Sequence, residues 1–267
     1  MRLNVYQKLC LAFYVILVVF WGILFLSGEK TSFYNYFYSF LFGLIPLIGG
    51  LVAMINSRMW GGLKSAVGKA VFFIGLGLFF WGSGETIWSY YNFFLGEPAP
   101  YPSLADIGFA PSIFFYGLGA FYLSKATGAK YGLRSTFPKV FVVLTSGLTV
   151  GISYYVLIIV ARGGVLVPPG ETSLKTILDI AYPLGDFLAL VIAVIISGLS
   201  FKFLGGRYLP DIASILLGLV VMFIADAVFS YTTTIGTFYN GQFGDLLLTT
   251  GLFLLTFGVL GFYKVKT

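Results

Sequence analysis

The chemistry open to this 267-residue chain is carboxylate chemistry. Glu85, Asp179, Asp186 and Asp226 fall inside long apolar runs, and Asp106 and Asp245 open two others. An ionisable side chain in the middle of a bilayer is unfavourable by about 3 kcal/mol or more, so such groups face the protein interior or a wet cavity and mark ion or substrate paths. Asp179 and Asp186 are seven residues apart, two helical turns, so they project from one face with Tyr182 and Pro183 between them. Pro183 frees a backbone carbonyl beside the two acids. No Lys or Arg is expected at matching depth, the nearest being Lys175 in the first turn of the same run and Arg162 in the loop before it. Carboxylates crowded in a low dielectric without counter-charge cannot all ionise, so either some hold protons or a cation binds among them. The candidate ligand- or cation-binding residues are Glu85, Asp106, Asp179, Tyr182, Asp186, Asp226 and Asp245, and the same acids would serve a metal if the cation were one.

Two of these positions have a plainer structural explanation to set beside the functional one. Pro102-Ser103-Leu104-Ala105-Asp106 reads as a capping box, with Ser103 as N-cap and Asp106 three residues on. Asp245 at the head of a helix complements the helix dipole. No cap accounts for Glu85, Asp186 or Asp226. The rings on the same side, among them Trp81, Trp88, Tyr101, Tyr182 and Tyr239, form an interfacial belt or, on the acid-bearing faces, line a cage for an organic cation.

Other chemistries are excluded by composition. The sequence has no histidine, which removes imidazole general bases, histidine-ligated zinc and bis-histidine haem. Its single cysteine, Cys10, lies in the first apolar run and allows neither a disulfide framework nor a thiolate cluster. No phosphate-binding glycine loop stands in the right context. Neither an enzymatic activity nor a cofactor is expected, and nucleic acid is not an expected partner. Thr232-Thr233-Thr234-Ile235-Gly236 resembles the start of a potassium-channel filter, but Thr237-Phe238-Tyr239-Asn240 breaks that pattern. Asp186 with Asp226 resembles the aspartate pair of presenilin-like proteases, whose flanking motifs are missing.

The elements that must carry these acids are membrane helices. With 58% hydrophobic and only 10% charged residues, a water-soluble domain of this length could not hide its apolar side chains in one core. Runs of about 20 apolar residues suffice to cross a bilayer, and they predict eight spans: Leu9–Leu26, Tyr36–Ile55, Ala70–Leu95, Leu104–Ser124, Phe137–Val160, Leu174–Leu199, Pro210–Thr234 and Phe243–Tyr263. The expected fold class is an all-α integral membrane protein, one transmembrane domain over residues 1–267 in the cell membrane, with the bilayer as its main partner. Basic residues fix the orientation. With both termini in the cytoplasm, thirteen of the sixteen Lys and Arg, from Arg2 to Lys266, lie inside, and only Lys30, Arg162 and Lys175 lie outside.

Two halves, 1–130 and 131–267, look alike. Gly75 to Glu85 followed by aromatics and Asp106 parallels Gly218 to Asp226 followed by aromatics and Asp245, and Pro46-Leu47-Ile48-Gly49 parallels Pro183-Leu184-Gly185-Asp186 at an offset of about 140 residues. Four helices per half is an even number, so the halves run in the same direction about an axis near the membrane normal. Pro100 to Asp106, Ala181-Tyr182-Pro183-Leu184-Gly185-Asp186, and Ala225-Asp226 with the stretch from Gly236 to Asp245 resemble the multi-helix membrane input modules that precede some bacterial and archaeal diguanylate cyclases and histidine kinases. That resemblance covers roughly Glu85 to the C-terminus and implies a sensory role. No cyclase or kinase domain accompanies it here, so output would pass to a separate signalling or membrane protein. The leading expectation is a sensory or ligand-binding protein whose acidic, aromatic pocket faces outward and takes a proton, metal cation or small cationic ligand. The alternatives are a small cation-coupled secondary transporter and a structural or assembly subunit.

Overall fold

The computed structural model describes residues 3–95, 100–127 and 208–263, with parts of 140–191. All regular structure among the described residues is helical. Six helices are long and apolar enough to cross a membrane. They are α1 (Val5–Ser27), α2 (Phe33–Ser57), α3 (Ala66–Tyr90, prolonged by a wider turn over Tyr91–Leu95), α4 (Asp106–Ala126), α5 (Leu209–Thr234) and α6 (Phe243–Leu260). These correspond to six of the eight expected spans, with ends displaced by a few residues. The other two spans are described only in part, and Pro183, Asp186 and many of the basic residues that set the orientation, including Arg2, Lys130, Arg134, Lys139, Lys202, Arg207, Lys264 and Lys266, lie outside the described residues.

The helix boundaries follow from local chemistry. Asn4 caps α1 by accepting from the Gln7 backbone N–H at 3.0 Å, while the Gln7 side chain accepts from the Asn4 N–H at 3.3 Å. Gly28, with φ of 72°, ends α1 in the left-handed conformation that favours glycine. Asn35 reaches back to the Ser32 N–H at 3.1 Å at the head of α2, and Ser65 Oγ accepts from the Gly68 N–H at 2.9 Å at the head of α3. Pro210 stands in the first turn of α5, where its missing N–H is harmless.

Helices α2, α3 and α4 pack in sequence, and α5 packs on α6. The most buried helix is α6, which also touches α1, α2 and α3. Lipid offers apolar side chains the same environment as a protein core, so hydrophobicity alone does not hold such helices together; close backbone approach does. Glycines provide it. A Cβ on Gly50 of α2 would stand 2.5 Å from the Gly75 carbonyl oxygen of α3, one on Gly108 of α4 2.4 Å from the Gly84 nitrogen of α3, and one on Gly258 of α6 2.6 Å from the Asp211 carbonyl oxygen of α5.

The end of the bundle opposite Asp245 is tied by polar contacts. Asn4 Nδ2 donates to the Leu260 carbonyl at 2.8 Å, Trp60 Nε1 to the Phe262 carbonyl at 2.7 Å, and Gln7 Nε2 to Asp211 Oδ1 at 2.9 Å. Tyr208 stacks on Phe262 with ring centroids 5.2 Å apart. The start of α1, the turn before α3, the start of α5 and the end of α6 therefore meet at one level. Asp211 is only 3% exposed and was not among the expected site residues. Its role is to hold α1 to α5.

Replacing Gly108 by Ala is expected to destabilise the bundle by about 1–3 kcal/mol, because backbone on α3 leaves no room for the methyl group. Gly117→Ala, on the same helix with nothing within 4 Å of the new Cβ, is expected to be neutral or slightly stabilising. Thermal unfolding of the two variants in one detergent checks the pair; equal losses would show that the α3–α4 crossing is looser than its geometry.

Candidate functional site

At the Asp245 end the helices enclose a cavity of about 50 Å³. Four of the expected carboxylates line it: Glu85 from α3, Asp106 from α4, Asp226 from α5 and Asp245 from α6. Tyr182 lines it too. Asp179 does not, and Asp186 lies outside the described residues.

Three of the four carboxylates, Glu85, Asp106 and Asp245, are held by specific donors. Glu85 is 5% exposed and accepts from Ser39 Oγ of α2 at 2.6 Å. Gly43, one turn further along α2, makes room for it, since a Cβ there would stand 2.5 Å from Glu85 Cγ. Asp245 is 3% exposed and accepts from the Gly241 N–H at 2.6 Å. Gly241 has φ of 85°, a left-handed turn that aims its N–H back at the head of α6. Asp106 Oδ2 accepts from the Ser103 N–H at 2.7 Å, which is half of the expected capping box. The other half differs, because Ser103 Oγ accepts from the Ala105 N–H at 3.2 Å. The second oxygen of Asp106 accepts a short hydrogen bond from the Tyr182 hydroxyl. Its capping role and its place in the cavity wall therefore coexist. Asp226 is half-buried on α5.

Most of the remaining wall is aromatic, with Ile113, Met222 and Leu248 among the rest. Trp88 meets Phe238 edge to face at 6.0 Å, Phe238 meets Phe229 at 5.1 Å, and Phe229 meets Tyr101 at 5.5 Å, so the rings lock one another in place. The loop before α6 closes the site. Trp88 Nε1 donates to Asn240 Oδ1 at 3.2 Å, and Asn35 Nδ2 donates to the Asn240 carbonyl at 2.8 Å. Ser39 and Asn240 were not foreseen as site residues; a lone serine in an apolar run and an asparagine in a short loop carry no signal of their own.

The expectation that Asp179 lacks counter-charge is wrong. Arg162 forms a short ion pair with Asp179 Oδ2, and Lys175 Nζ lies 3.0 Å from the same oxygen. Residues 175 and 179 are one helical turn apart, so their side chains share a face. Arg162 reaches the pair from the preceding segment, a tertiary contact that spacing does not encode. Lys175 also stands over the Tyr101 ring, 5.8 Å from its centroid. Burial, and next the charge of nearby Asp179, holds the Tyr101 phenol above its ordinary range, so it stays protonated at the cavity rim.

Among the described residues no group of three acids or other ligating side chains is placed to hold a metal ion. The described residues lining the cavity include no Lys or Arg. Chemically, the site combines several carboxylates, hydroxyl donors and ring faces in a low-dielectric space. Comparison with protein-family models, curated proteins and solved structures gives no match.

Arg162→Ala is expected to lower stability by about 3 kcal/mol, since it strips the main partner from a buried carboxylate. Lys175→Ala is expected to cost under about 1 kcal/mol, because its side chain is 19% exposed against 1% for Arg162. Unfolding midpoints of the two variants decide this, and a larger loss for Lys175→Ala would reverse the assignment.

Proposed function

We propose that this protein is a membrane-embedded sensory or ligand-binding module whose cavity takes a small organic cation or a proton from the side of the membrane away from the cytoplasm. One observation carries the reading: four carboxylates and a set of interlocked rings wall a single cavity, and no Lys or Arg is among the described residues lining it. Negative charge and ring quadrupoles both attract a cation, and each acts more strongly out of water. Carboxylates contributed singly by four helices, with no three ligating side chains gathered at one point among the described residues, suit a compact organic cation such as tetramethylammonium better than a metal.

The full topology belongs to the same proposal: eight helices in two parallel four-helix halves, with both termini cytoplasmic. Parity supports the count. The late part of α4 packs on the early part of α3, at the level where α5 begins, yet Tyr182, between α4 and α5 in sequence, bonds to Asp106 at the other end. That separation supports a crossing and a return of the chain between them, two spans beyond the six. Correspondence of the hairpins supports the repeat. In α3–α4 and in α5–α6 the first helix brings an acid to the cavity, and the second opens with an aspartate that accepts from a backbone N–H in the turn before it. The excess of basic residues expected at the other end supports an outward-facing cavity. Binding would bias helix packing only if the two packings differ in affinity for the ligand. The readout would pass to a separate membrane or signalling protein.

Titration of the purified protein in lipid nanodiscs with tetramethylammonium, followed by tryptophan fluorescence, tests this directly, because Trp81 and Trp88 line the cavity. Saturable quenching is expected with the cation and not with its neutral analogue tert-butanol, and Asp226→Asn or Asp245→Asn is expected to weaken it roughly tenfold. Equal responses to the cation and the neutral analogue would sink the proposal. Uptake of the cation into sealed proteoliposomes would replace a sensor by a carrier.

A further inference from the structure

A second hollow lies beside the acidic cavity. It runs along α4 through Ala110, Phe114, Gly117, Leu118 and Phe121, faces Leu178, Ala181 and Gly185, and has a volume of about 490 Å³. Apart from the hydroxyl of Tyr182, its described lining carries no polar side chain. Phe114 is 64% exposed and Phe121 43% exposed, so the hollow opens on the lipid-facing surface of the helix. Ile113 and Tyr182 line both spaces. Tyr182 is the partition: its ring borders the apolar groove, while its hydroxyl bonds to Asp106 in the cavity.

We infer that the ligand is a membrane-borne amphiphile with a single cationic head, which places the head among the carboxylates and its hydrocarbon chain in the adjoining groove. This rests on the reading of the cavity as a cation site and names the class of cation. The bilayer is the natural source of such a molecule. A chain moving from lipid into an apolar groove exchanges one hydrocarbon environment for another, at little change in free energy. The groove therefore contributes a lateral path and a fixed register, and affinity comes from the head. A chain kept in hydrocarbon throughout also spares the ligand a passage through water. Gly117 keeps the groove open; nothing lies within 4 Å of a Cβ placed there, so a side chain at this position enters the space the chain would use.

The test uses the full-length protein in nanodiscs and a dodecyltrimethylammonium probe carrying a diazirine near the end of its chain. After irradiation and mass mapping, labelling is expected to concentrate on the groove between residues 110 and 121, and to fall roughly tenfold with excess tetramethylammonium or in Gly117→Leu. The corresponding diazirine dodecanol, which lacks the charge, is expected to label the lipid-facing helices without that focus. Diffuse labelling by the cationic probe, or focused labelling indifferent to Gly117→Leu, overturns the groove assignment while tetramethylammonium quenching leaves the cation site intact. Loss of that quenching in the unmodified protein removes the cation site and the amphiphile with it. Should Gly117→Leu fail to accumulate, Gly117→Val fills part of the groove, and an intermediate fall in labelling is required of it.

Discussion

A carboxylate surrounded by hydrocarbon has to be met by protein, and this bundle meets its buried acids in two different ways. Asp179 is answered by cations, Arg162 and Lys175, and Asp211, at the far end of the bundle, meets Gln7 in a contact that ties α1 to α5. Glu85, Asp106 and Asp245 are each given a neutral donor, and together with Asp226 they surround open space. Neutral donors fix where a carboxylate points without cancelling its charge. The first group ends in structure. The second leaves an electrostatic demand that something else has to satisfy.

The space exists because of where helices touch and where they do not. Glycine crossings bring α2, α3 and α4 together backbone to backbone, as they do α5 and α6. Around the cavity the walls are instead large: Trp81, Trp88, Phe229 and Phe238 keep the helices apart, and the loop around Asn240 closes over them. Rigid crossings and bulky walls therefore belong to one design, since a hollow persists in a packed interior only where the surroundings cannot collapse into it.

Six helices could be read from apolar run length alone, with ends close to those observed, because the bilayer imposes a fixed ruler on any chain that spans it. The four acids that share the cavity could be read as well, because an acid in an apolar run is conspicuous. Their partners could not. A helix that is apolar all round carries no stripe to say which face meets which neighbour, so nothing in the sequence turns Ser39 toward Glu85 or Gln7 toward Asp211. Arg162 shows the same gap: seventeen residues before Asp179, it looked like a loop cation facing water, yet its side chain is buried against that acid.

Helix α1 stands apart from this arrangement. Only Gln7, Leu17 and Leu24 of its 23 residues are buried, while Leu9, Val15, Ile16, Val19, Ile23 and Leu26 face outward. Lipid tails do not distinguish leucine from isoleucine or valine, so most of this helix is free to drift in composition as long as it stays greasy. What anchors it is one line of inward residues: Asn4 and Gln7 at its start, Tyr14 bonded to Thr250 and stacked on Phe253 midway, and Trp21 donating to the Gln242 carbonyl near its end. The positions of α1 least free to change are thus expected to be Gln7, Tyr14 and Trp21, polar survivors in an otherwise interchangeable stretch.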